Sequence, residues 1–499
     1  MYHTNILEYL ELTVREFPDR SSFADGEEDL CFFQMYSFAR SVGSLLSERG
    51  FYRRPVVILA DKKPRTVAAM LGVVYSGCFY ACLDIGMPSE RLERIFSTLS
   101  PVAVLCDGMG DVVLNRLSYS GERYSFDEAF SHPTNEEMLA QVRKRQIDTD
   151  PVYVVFTSGS TGVPKGVVAS HQSVIDYTET LCEALGFSKN CVFGNQAPLC
   201  FDAPLKEIMP TLKLGARTVF IPRRLFSYPV MLCEYLDRHG VNTVCWVSSA
   251  LSLISMSGAL DAHRPKYLDM ICFGSEVFPR AEYEKWRAAY PNASFVNLYG
   301  PTEATGMSCY WIAERELDEG ESIPIGRPFR NTEIMLIGEG GERAEEGEIY
   351  IRGSALTLGY LGENVGSSAF LLDPTNSLYF ERVYRTGDIG RMNERGELVF
   401  VCRRDMQIKH MGHRIELGEI EAAAIGCGAD RACAVYDSEA RKITLIFTGK
   451  SDKNELLRAL KERLPHYALP ARALRLDAMP QTANGKLDRR LLAEMAKKS

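Results

Sequence analysis

Long apolar segments are absent from this 499-residue sequence, in which no run reaches the roughly 18 residues that cross a bilayer. A strongly basic composition, typical of nucleic-acid-binding proteins, is also missing: 57 basic residues are outnumbered by 65 acidic ones, and the formal net charge is −8. The first residues, MYHTNILEYLELTVREF, mix acidic and apolar side chains, unlike a secretory or transit peptide. These absences argue against membrane insertion and against nucleic-acid binding, and they predict a cytoplasmic protein.

Cysteine pairs with metal-binding spacing are lacking as well. None of the 14 cysteines forms a C-x-x-C pair, and most lie inside apolar runs, such as Cys106 in PVAVLC and Cys245 in NTVCWV. His410 and His413 form an isolated H-x-x-H without a second pair of ligands nearby. This pattern favours buried thiols in a reducing compartment and surface histidines over a zinc site.

Short β-branched runs alternate with longer segments, several of helical periodicity, over the first 300 residues. Such alternation predicts βαβ units, and therefore largely parallel sheets that helices cover on both faces. The apolar periodicity of Arg65–Tyr75 is a clear example of a helix between two such runs. The predicted strands of this region are Val56–Ala60, Val102–Cys106, Val152–Phe156, Thr218–Ile221, Thr243–Val247, Met270–Phe273 and Ser294–Leu298.

The pattern changes after about Ile325, where β-rich segments and glycine-containing turns replace the alternation. A charged stretch begins near Arg403, and a small α/β pattern follows it. We therefore predict a large α/β domain of layered, mostly parallel sheets with a β-rich subdomain over residues 1–404. Residues 405–499 are expected to form a small α+β domain. The predicted strands of these regions are Thr332–Ile337, Glu348–Arg352, Glu397–Val401, Ala432–Tyr436 and Ile443–Phe447.

The strongest local motif is YVVFTSGSTGVPKGV, residues 153–167. Glycines let backbone N–H groups point at a ligand, hydroxyls add donors, and Lys165 adds positive charge, so the loop after this strand suits a polyphosphate. It is not a Walker A loop, because Lys165 is followed by Gly166 and Val167 rather than by serine or threonine. The residues expected to bind phosphate are Thr157, Ser158, Gly159, Ser160, Thr161, Gly162 and Lys165.

This loop resembles the signature of the adenylate-forming enzymes, which include acyl-CoA synthetases, luciferases and the adenylation domains of nonribosomal peptide synthesis. Further segments resemble the family's motifs in the same order over nearly the whole chain. The resemblance implies a two-step reaction, in which a carboxylate attacks the α-phosphate of ATP and a thiol then takes the acyl group. The further segments are YSGCFYACLDIGMPSERLERI (75–95), NLYGPTEAT (297–305), GEIYIRGSALTLGY (347–360), YRTGDIGR (384–391), CRRDMQIKHMGHRIELGEIE (402–421) and NGKLDRR (484–490).

The resemblance implies roles for single residues of these motifs in binding ATP and Mg²⁺. Glu303 would help to bind Mg²⁺, a hard cation suited to carboxylate and phosphate oxygens. Thr302 would contact the α-phosphate, and Tyr299 would stack on adenine. Asp388 would accept hydrogen bonds from both ribose hydroxyls, and Arg403 would reinforce that contact. Lys165 would hold the β- and γ-phosphates that leave as pyrophosphate.

The same resemblance implies that the small domain rotates between the two steps. Lys486 would bridge the substrate carboxylate and the nucleotide in the first step. Asp405 would be the hinge, and after rotation the segment around Gly412 would line a tunnel for the pantetheine arm. The chain departs from the family at Cys402, where glycine is usual, which affects the backbone just before the hinge.

The segment NQAPLCFDAPLKEIMPTL, residues 195–212, resembles the F-D-x-S motif of amino-acid-activating members of the family. Asp202 then lies where those enzymes pair a carboxylate with the ammonium group of the substrate. The alternative is a helix N-cap, because the residues that follow Asp202 have helical spacing. The segment also resembles the D-alanine–carrier protein ligases, but their motif continues with Leu-Ser-Val where this chain has Ala203, Pro204 and Leu205.

The side chain of the substrate is indicated less clearly, because two signals conflict. Trp246 and Phe273 are large and favour a shallow pocket for a small substrate. Lys206 could instead bind an acidic side chain, unless its amine reaches water. The positions that the resemblance implies for the pocket are Asp202, Ala203, Lys206, Trp246, Ile271, Phe273, Leu298, Gly306 and Met307.

The sequence therefore predicts a ligase that uses ATP and Mg²⁺ to convert an amino acid into aminoacyl-AMP. No carrier segment follows the last motif, so we expect transfer to the phosphopantetheine thiol of a separate carrier protein. An acyl- or aryl-CoA ligase, with Asp202 capping a helix, is the alternative enzyme. A nucleotide-binding protein without activity is the third hypothesis; the intact set of Lys165, Glu303, Asp388 and Lys486 argues against it.

Overall fold

A computed structural model describes residues 3–159, 164–362, 369–438, 440–480 and 487–498. Their strands form five sheets. In chain order the strands are β1 Ser21–Ala24, β2 Asp29–Cys31, β3 Pro55–Leu59, β4 Phe79–Leu83, β5 Ala103–Cys106, β6 Glu122–Ser125, β7 Pro151–Thr157, β8 Lys165–Ser170, β9 Val192–Asn195, β10 Arg217–Phe220, β11 Thr243–Val247, β12 Met270–Gly274, β13 Ser294–Tyr299, β14 Cys309–Ile312, β15 Arg327–Pro328, β16 Thr332–Ile337, β17 Glu346–Gly353, β18 Gly359–Tyr360, β19 Phe370–Leu372, β20 Arg382–Met392, β21 Leu398–Arg403, β22 Gln407–His410, β23 His413–Glu416, β24 Arg431–Asp437, β25 Lys442–Thr448 and β26 Arg472–Arg475.

The helices connect and cover these strands. Within the described part of the chain, none is long and apolar enough to cross a membrane. The helices are α1 Leu7–Glu16, α2 Phe32–Glu48, α3 Pro64–Tyr75, α4 Ser89–Leu99, α5 Gly108–Leu114, α6 Phe126–Ser131, α7 Glu136–Arg145, α8 His171–Leu185, α9 Leu205–Leu214, α10 Pro229–Arg238, α11 Ser248–Met256, α12 Ala259–Ala262, α13 Arg280–Ala289, α14 Leu417–Gly426, α15 Lys453–Lys461 and α16 Arg489–Lys498, with short 3₁₀ turns at Arg223–Ser227, Thr302–Ala304 and His466–Ala468.

Two large, mostly parallel sheets confirm the predicted layered α/β architecture. One has nine strands in the order β15-β14-β13-β12-β11-β9-β10-β1-β2, and the other has seven in the order β18-β8-β7-β4-β3-β5-β6. Strands such as β3 (PVVIL) and β11 (TVCWV) are buried along their whole length, as required of strands with helices on both faces. Helices α8 and α9 cover one face of the nine-stranded sheet, and α10, α11 and α13 cover the other.

The β-rich region follows, as predicted from the change of pattern after Ile325. Strands β16, β17, β20 and β19 form an antiparallel sheet, and β21 pairs with β20. Cys402, where the family usually has glycine, lies within β21 and pairs with Ile389, next to a register shift between Ile389 and Gly390; the pairing continues to Arg403.

A smaller unit with its own core completes the fold. Strands β22 and β23 form a hairpin, while β24, β25 and β26 form a three-stranded sheet. The apolar faces of α14 and α15 pack on this sheet, with Ile420, Leu445 and Leu460 fully buried among them. The predicted strands at 432–436 and 443–447 are confirmed as parts of β24 and β25.

Candidate active site

A cleft opens where the parallel strands of the nine-stranded sheet end. The carboxyl ends of β9, β11, β12 and β13 lie side by side because these strands are parallel and in register. Loops that leave these ends line the cleft, together with Ser158 after β7 and the β22–β23 hairpin of the small unit. Open α/β sheets commonly bind ligands at this edge.

Asp388 on β20 is held by two partners at one end of the cleft. The phenol of Tyr299 donates a hydrogen bond to its Oδ2 at 2.6 Å, and Nη1 of Arg403 donates to its Oδ1 at 2.5 Å. Asp405 binds the other edge of the Arg403 guanidinium at 2.7 Å. Burial and the Asp388 carboxylate both raise the pKa of Tyr299 well above its usual value. The predicted association of Asp388 with Arg403 is thus present, and Tyr299 belongs to the same group.

The amine of Lys409 lies 5.5 Å from the centroid of the Tyr299 ring. Burial lowers the pKa of Lys409, against the opposing effect of Asp388. Lys409 was not among the residues predicted from the sequence, although it lies in the charged segment that resembles a family motif. Its place in QIKH, two residues after the buried Gln407 and just before the hairpin turn, is the signal that could have identified it.

Glu303 forms the second charged group of the cleft. Its fully buried carboxylate accepts a hydrogen bond from the Tyr360 phenol at 2.7 Å and two from Nη1 of Arg414, at 3.0 and 2.8 Å. Burial raises the pKa of Glu303, but Arg414 and Tyr360 outweigh that effect and hold it below its usual value. Arg414 belongs to β23, so this ion pair joins the small unit to the large one. The sequence analysis did not foresee the pairing.

The donor set around Glu303 fits Mg²⁺ only in part. Mg²⁺ is commonly held by one or two carboxylates together with phosphate oxygens, and Glu303 can supply one such carboxylate. No cluster of three potential metal ligands occurs in the described part of the chain, so further oxygens would come from a bound nucleotide and water. Both Glu303 oxygens are engaged by Arg414 in this domain orientation, so cation binding requires Arg414 to move.

Part of the predicted phosphate loop lies outside the described residues. Ser160, Thr161 and Gly162 belong to this part, and Lys486 of the C-terminal motif is likewise not described. The flanking residues are placed at the cleft: the Ser158 hydroxyl donates to the backbone oxygen of Arg414 at 3.1 Å. The Lys165 amine lies 4.9 Å from the centroid of the Tyr360 ring, and thus on the side where Glu303 is found.

Asp202 also lines the cleft, within hydrogen-bonding distance of the Thr302 hydroxyl. Burial raises the pKa of Asp202, opposed by the Lys206 amine and the Thr302 hydroxyl. Helix α9 begins after Pro204, and no side chain caps its first turn. Asp202 therefore does not act as the helix cap that the alternative interpretation required, and its carboxylate lines the cleft.

The predicted pocket residues separate into two groups on opposite faces of the nine-stranded sheet. Ala203, Gly306 and Met307 line the cleft with Asp202, and Leu298 packs on the same face as Met307. The other group does not reach this pocket but packs under α10, α11 and α13; it consists of Trp246, Ile271 and Phe273.

Side-chain alternation explains the separation. Trp246 pairs with Phe273, and Cys245 pairs with Cys272, so each pair points to one face. Leu298 pairs with Gly274 and therefore lies on the cysteine face. Because a shift of one residue along a strand exchanges its faces, Trp246, Ile271 and Phe273 lie on the face opposite Leu298. Cys245 and Cys272 lie on the same face as Leu298, since Cys272 pairs with Val296, two residues before Leu298.

The small unit closes the cleft through its hairpin. The Gly412 N–H donates to the Glu276 carboxylate, and a Cβ on Gly412 would lie 2.6 Å from Val247 Cγ1. Burial raises the pKa of Glu276 to about 7. Away from the hairpin, Arg91 of α4 and Glu419 of α14 form a buried ion pair at 2.6 Å. The segment around Gly412 is thus at the cleft, as expected for one of the two domain orientations.

The fold combines a large layered α/β domain with a small α+β domain, and residues of both line the cleft. The sequence profile of AMP-binding enzymes matches residues 10–361. The chain therefore belongs to the AMP-binding enzyme family, a family of ligases.

Relatives of known name match over the whole length. The D-alanine--D-alanyl carrier protein ligase of Bacillus cereus (strain G9842) is 28% identical over 511 residues, which span 98% of this chain and 99% of the relative. The protein of that name from Bacillus thuringiensis (strain Al Hakam) is 28% identical over 509 residues, with the same coverage.

Solved structures share the fold. IdnL1 superposes with a TM-score of 0.79 at 25% identity, over 95% of this chain and 99% of its own. The adenylation domain AlmE of Vibrio cholerae, solved with glycyl-adenosine-5'-phosphate, superposes with a TM-score of 0.85 at 20% identity, over 100% and 99%.

Proposed function

We propose that this protein activates an amino acid with ATP, releases pyrophosphate, and transfers the aminoacyl group to the phosphopantetheine thiol of a separate carrier protein. The substrate carboxylate attacks the α-phosphate and forms aminoacyl-AMP; the thiol then attacks the aminoacyl carbonyl and AMP leaves. The observation that carries this proposal is Asp202, a carboxylate that lines the cleft instead of capping α9. A buried carboxylate requires a positive partner, and an amino acid brings an ammonium group.

The nucleotide is assigned to Asp388, to the residues that orient it, and to Thr302. Asp388, oriented by Arg403 and Tyr299, is placed to accept hydrogen bonds from ribose hydroxyls. Because the Tyr299 phenol is engaged by Asp388, only the ring is available to the adenine. Thr302 is proposed to contact the α-phosphate, next to the substrate end marked by Asp202.

The remaining phosphates are assigned to the loop that follows β7. Lys165 and residues 157–162 would hold the β- and γ-phosphates. Glu303 would hold Mg²⁺, which when bound neutralises phosphate charge. Because Arg414 holds Glu303 and Gly412 lies in the cleft, we assign the present domain orientation to the thiol-transfer step. The first step would need rotation about Asp405, between domains 1–404 and 405–499, to bring Lys486 to the reacting groups.

Pyrophosphate exchange with a panel of acids tests the proposal. The panel contains the protein amino acids, including glycine and L-alanine, together with D-alanine and with fatty and aryl acids. Exchange with one or a few amino acids is the expected result. Exchange confined to acids without an amine would instead identify an acyl- or aryl-CoA ligase and contradict the proposal. Transfer of the radiolabelled aminoacyl group to pantetheine, in a buffer that contains Mg²⁺, tests the second step.

A further inference from the structure

A lysine side chain without a hydrogen-bonded counter-ion is buried near Asp202. Lys206 is the second residue of α9, and only 4% of it is exposed. Within the described part of the chain its amine makes no hydrogen bond and no ion pair. Lys206 follows Asp202 and Ala203, which line the cleft, and its positive charge opposes the rise that burial causes in the pKa of Asp202, so the amine lies within electrostatic reach of that carboxylate. Buried lysines are normally paired, so this one indicates a missing anion.

The neighbouring carboxylates do not neutralise Lys206 once an amino acid is bound. The ammonium group of the substrate takes Asp202, according to the proposed function on which this inference rests. Glu207 accepts a hydrogen bond from the Asn195 amide, and burial raises the pKa of Glu207 to about 8, so it is mostly protonated at neutral pH. An amino acid with a neutral side chain would therefore leave Lys206 as a buried charge without a counter-ion, which is costly.

Two further hydrogen-bond donors are buried in the same region. The hydroxyls of Tyr153 and Tyr177 are buried without a hydrogen-bond partner, and both lie within electrostatic reach of Asp202. Cys245 and Cys272, rather than Trp246 and Phe273, are the residues on this face of the sheet. The two bulky aromatics therefore do not limit the pocket, and the reason to expect a small substrate no longer holds.

We infer that the amino acid activated by this protein carries an acidic side chain, whose carboxylate pairs with the Lys206 amine while Asp202 holds the α-ammonium group. Lys206 is thereby a specificity-determining residue. The nearby hydroxyl of Tyr177 is available as a second donor to the same carboxylate. The charges then balance in the closed site, because the α-ammonium group of the substrate pairs with Asp202 and its side-chain carboxylate pairs with Lys206.

Pyrophosphate exchange with the wild-type protein is the first test. Aspartate and glutamate, in both chiral forms, are compared with alanine, glycine, asparagine and glutamine. We expect one acidic amino acid to exceed every neutral one by at least 100-fold in kcat/KM. A preference for alanine or another neutral amino acid would overturn the inference that the substrate has an acidic side chain. It would leave the proposed activation of an amino acid intact. Exchange confined to acids lacking an amine would instead contradict the proposed function itself.

The second test is the Lys206→Met variant, which keeps the length of the stem and removes the charge. Exchange with the acidic substrate should fall at least 100-fold, while exchange with its amide analogue should be unchanged or increased. The matched control is Lys213→Met on the same helix, where the amine is paired with Glu179 rather than placed at the pocket. An equal loss for acid and amide, or an equal effect of the two variants, would contradict the role of Lys206.

Thermal stabilisation by non-reactive adenylates provides a readout that does not depend on turnover. Glutamyl- and aspartyl-sulfamoyladenosine are compared with alanyl-sulfamoyladenosine on wild-type protein. A larger rise in the melting temperature with an acidic analogue supports the inference, and a larger rise with the alanyl analogue overturns it. Because this measurement uses the unaltered chain, the inference can be tested even if Lys206→Met does not fold.

Discussion

Asp202 and Lys206 are only four positions apart, yet they are assigned to different groups of the substrate. Both charges act in a partly water-excluded pocket, where electrostatic interactions are stronger than in solvent. Helix α9 fixes Lys206, whereas Asp202 lies in the preceding loop, next to Thr302. The two residues can therefore be tested separately.

Replacing Asp202 with asparagine removes the charge that should face the α-ammonium group and keeps the shape. Loss of this buried charge-assisted contact should lower kcat/KM for the amino acid by about 2–4 kcal/mol, or about 30- to 900-fold. The KM for ATP should change far less, because Asp202 is not among the groups assigned to the nucleotide. Steady-state pyrophosphate exchange measures both quantities. The des-amino analogue of the substrate is the control, since it should react no worse with the variant; an unaltered rate with the amino acid would exclude the role.

Glu207 should make the stability of the protein depend on pH. Burial raises its pKa from an ordinary 4.5 to about 8, so between these values the folded state binds a proton that the unfolded chain has released. Stability should therefore fall as pH rises in this window, by at most ~1.4 kcal/mol per pH unit. The Glu207→Gln variant keeps an oxygen for the Asn195 amide but does not titrate. Urea denaturation at pH 5, 6 and 7 should show wild type losing stability relative to the variant; a pH-independent difference would contradict this.

The β22–β23 hairpin is the element through which the small unit enters the cleft. Its two turn residues, Met411 and Gly412, both have positive φ, as type I′ turns require. Next to the turn, Gly412 packs on Val247 and donates to Glu276, while Arg414 reaches Glu303. The hairpin thus carries several of the contacts that define this domain orientation.

Gly412→Ala should impair the thiol-transfer step selectively. The added Cβ would lie 2.6 Å from Val247 Cγ1, which is closer than side chains pack, so the hairpin could not seat in the cleft. We expect transfer from the bound adenylate to pantetheine to slow at least tenfold, with pyrophosphate exchange within twofold of wild type. Single-turnover measurements separate the two steps. Gly396→Ala is the matched control, because Gly396 also has positive φ but has open space around it. If both variants slowed transfer equally, the loss would be due to backbone strain at a positive φ and not to the contact with Val247.

At the scale of the whole molecule, the proposed function assigns the two steps to different arrangements of the two domains. In the present arrangement Gly412 and Arg414 of the small unit occupy the cleft. Arg414 engages both oxygens of Glu303, the residue proposed to hold Mg²⁺. The first step therefore needs an arrangement in which Arg414 withdraws, and rotation about Asp405 would provide it.

Lys486→Ala should impair the first step and spare the second. One lysine of the small domain can bridge substrate and nucleotide in only one orientation, so adenylate formation should fall by about two to three powers of ten. Transfer from preformed aminoacyl-AMP to pantetheine should stay close to wild type. Pyrophosphate exchange and single-turnover transfer measure the two steps. Equal slowing of adenylate formation and of transfer would contradict alternation between two domain orientations. If alternation holds, Lys486→Ala should slow the first step and Gly412→Ala the second.

Much of this architecture was predictable from local sequence patterns. The β-branched runs of β3, β11 and β12 are buried on both faces. A strand that helices cover on both faces needs apolar residues at successive positions, wherever it lies in the sheet. Asp388 and Arg403 were predicted to act together from motifs alone, and they lie on paired strands. Helix capping was a sound alternative for Asp202, but the N-cap position of α9 is Pro204, two residues later, and the Asp202 carboxylate lines the cleft.

The sequence by itself determined the layered α/β class, the order of the motifs and the charged residues available for chemistry, because these depend on residue type and spacing along the chain. The tertiary structure decided which residues meet. Register between parallel strands places Cys245 and Cys272, not Trp246 and Phe273, on the pocket face, and a one-residue shift is invisible in a motif. The pairing of Arg414 with Glu303 joins residues 111 positions apart across two domains, and only the packing of those domains brings them together.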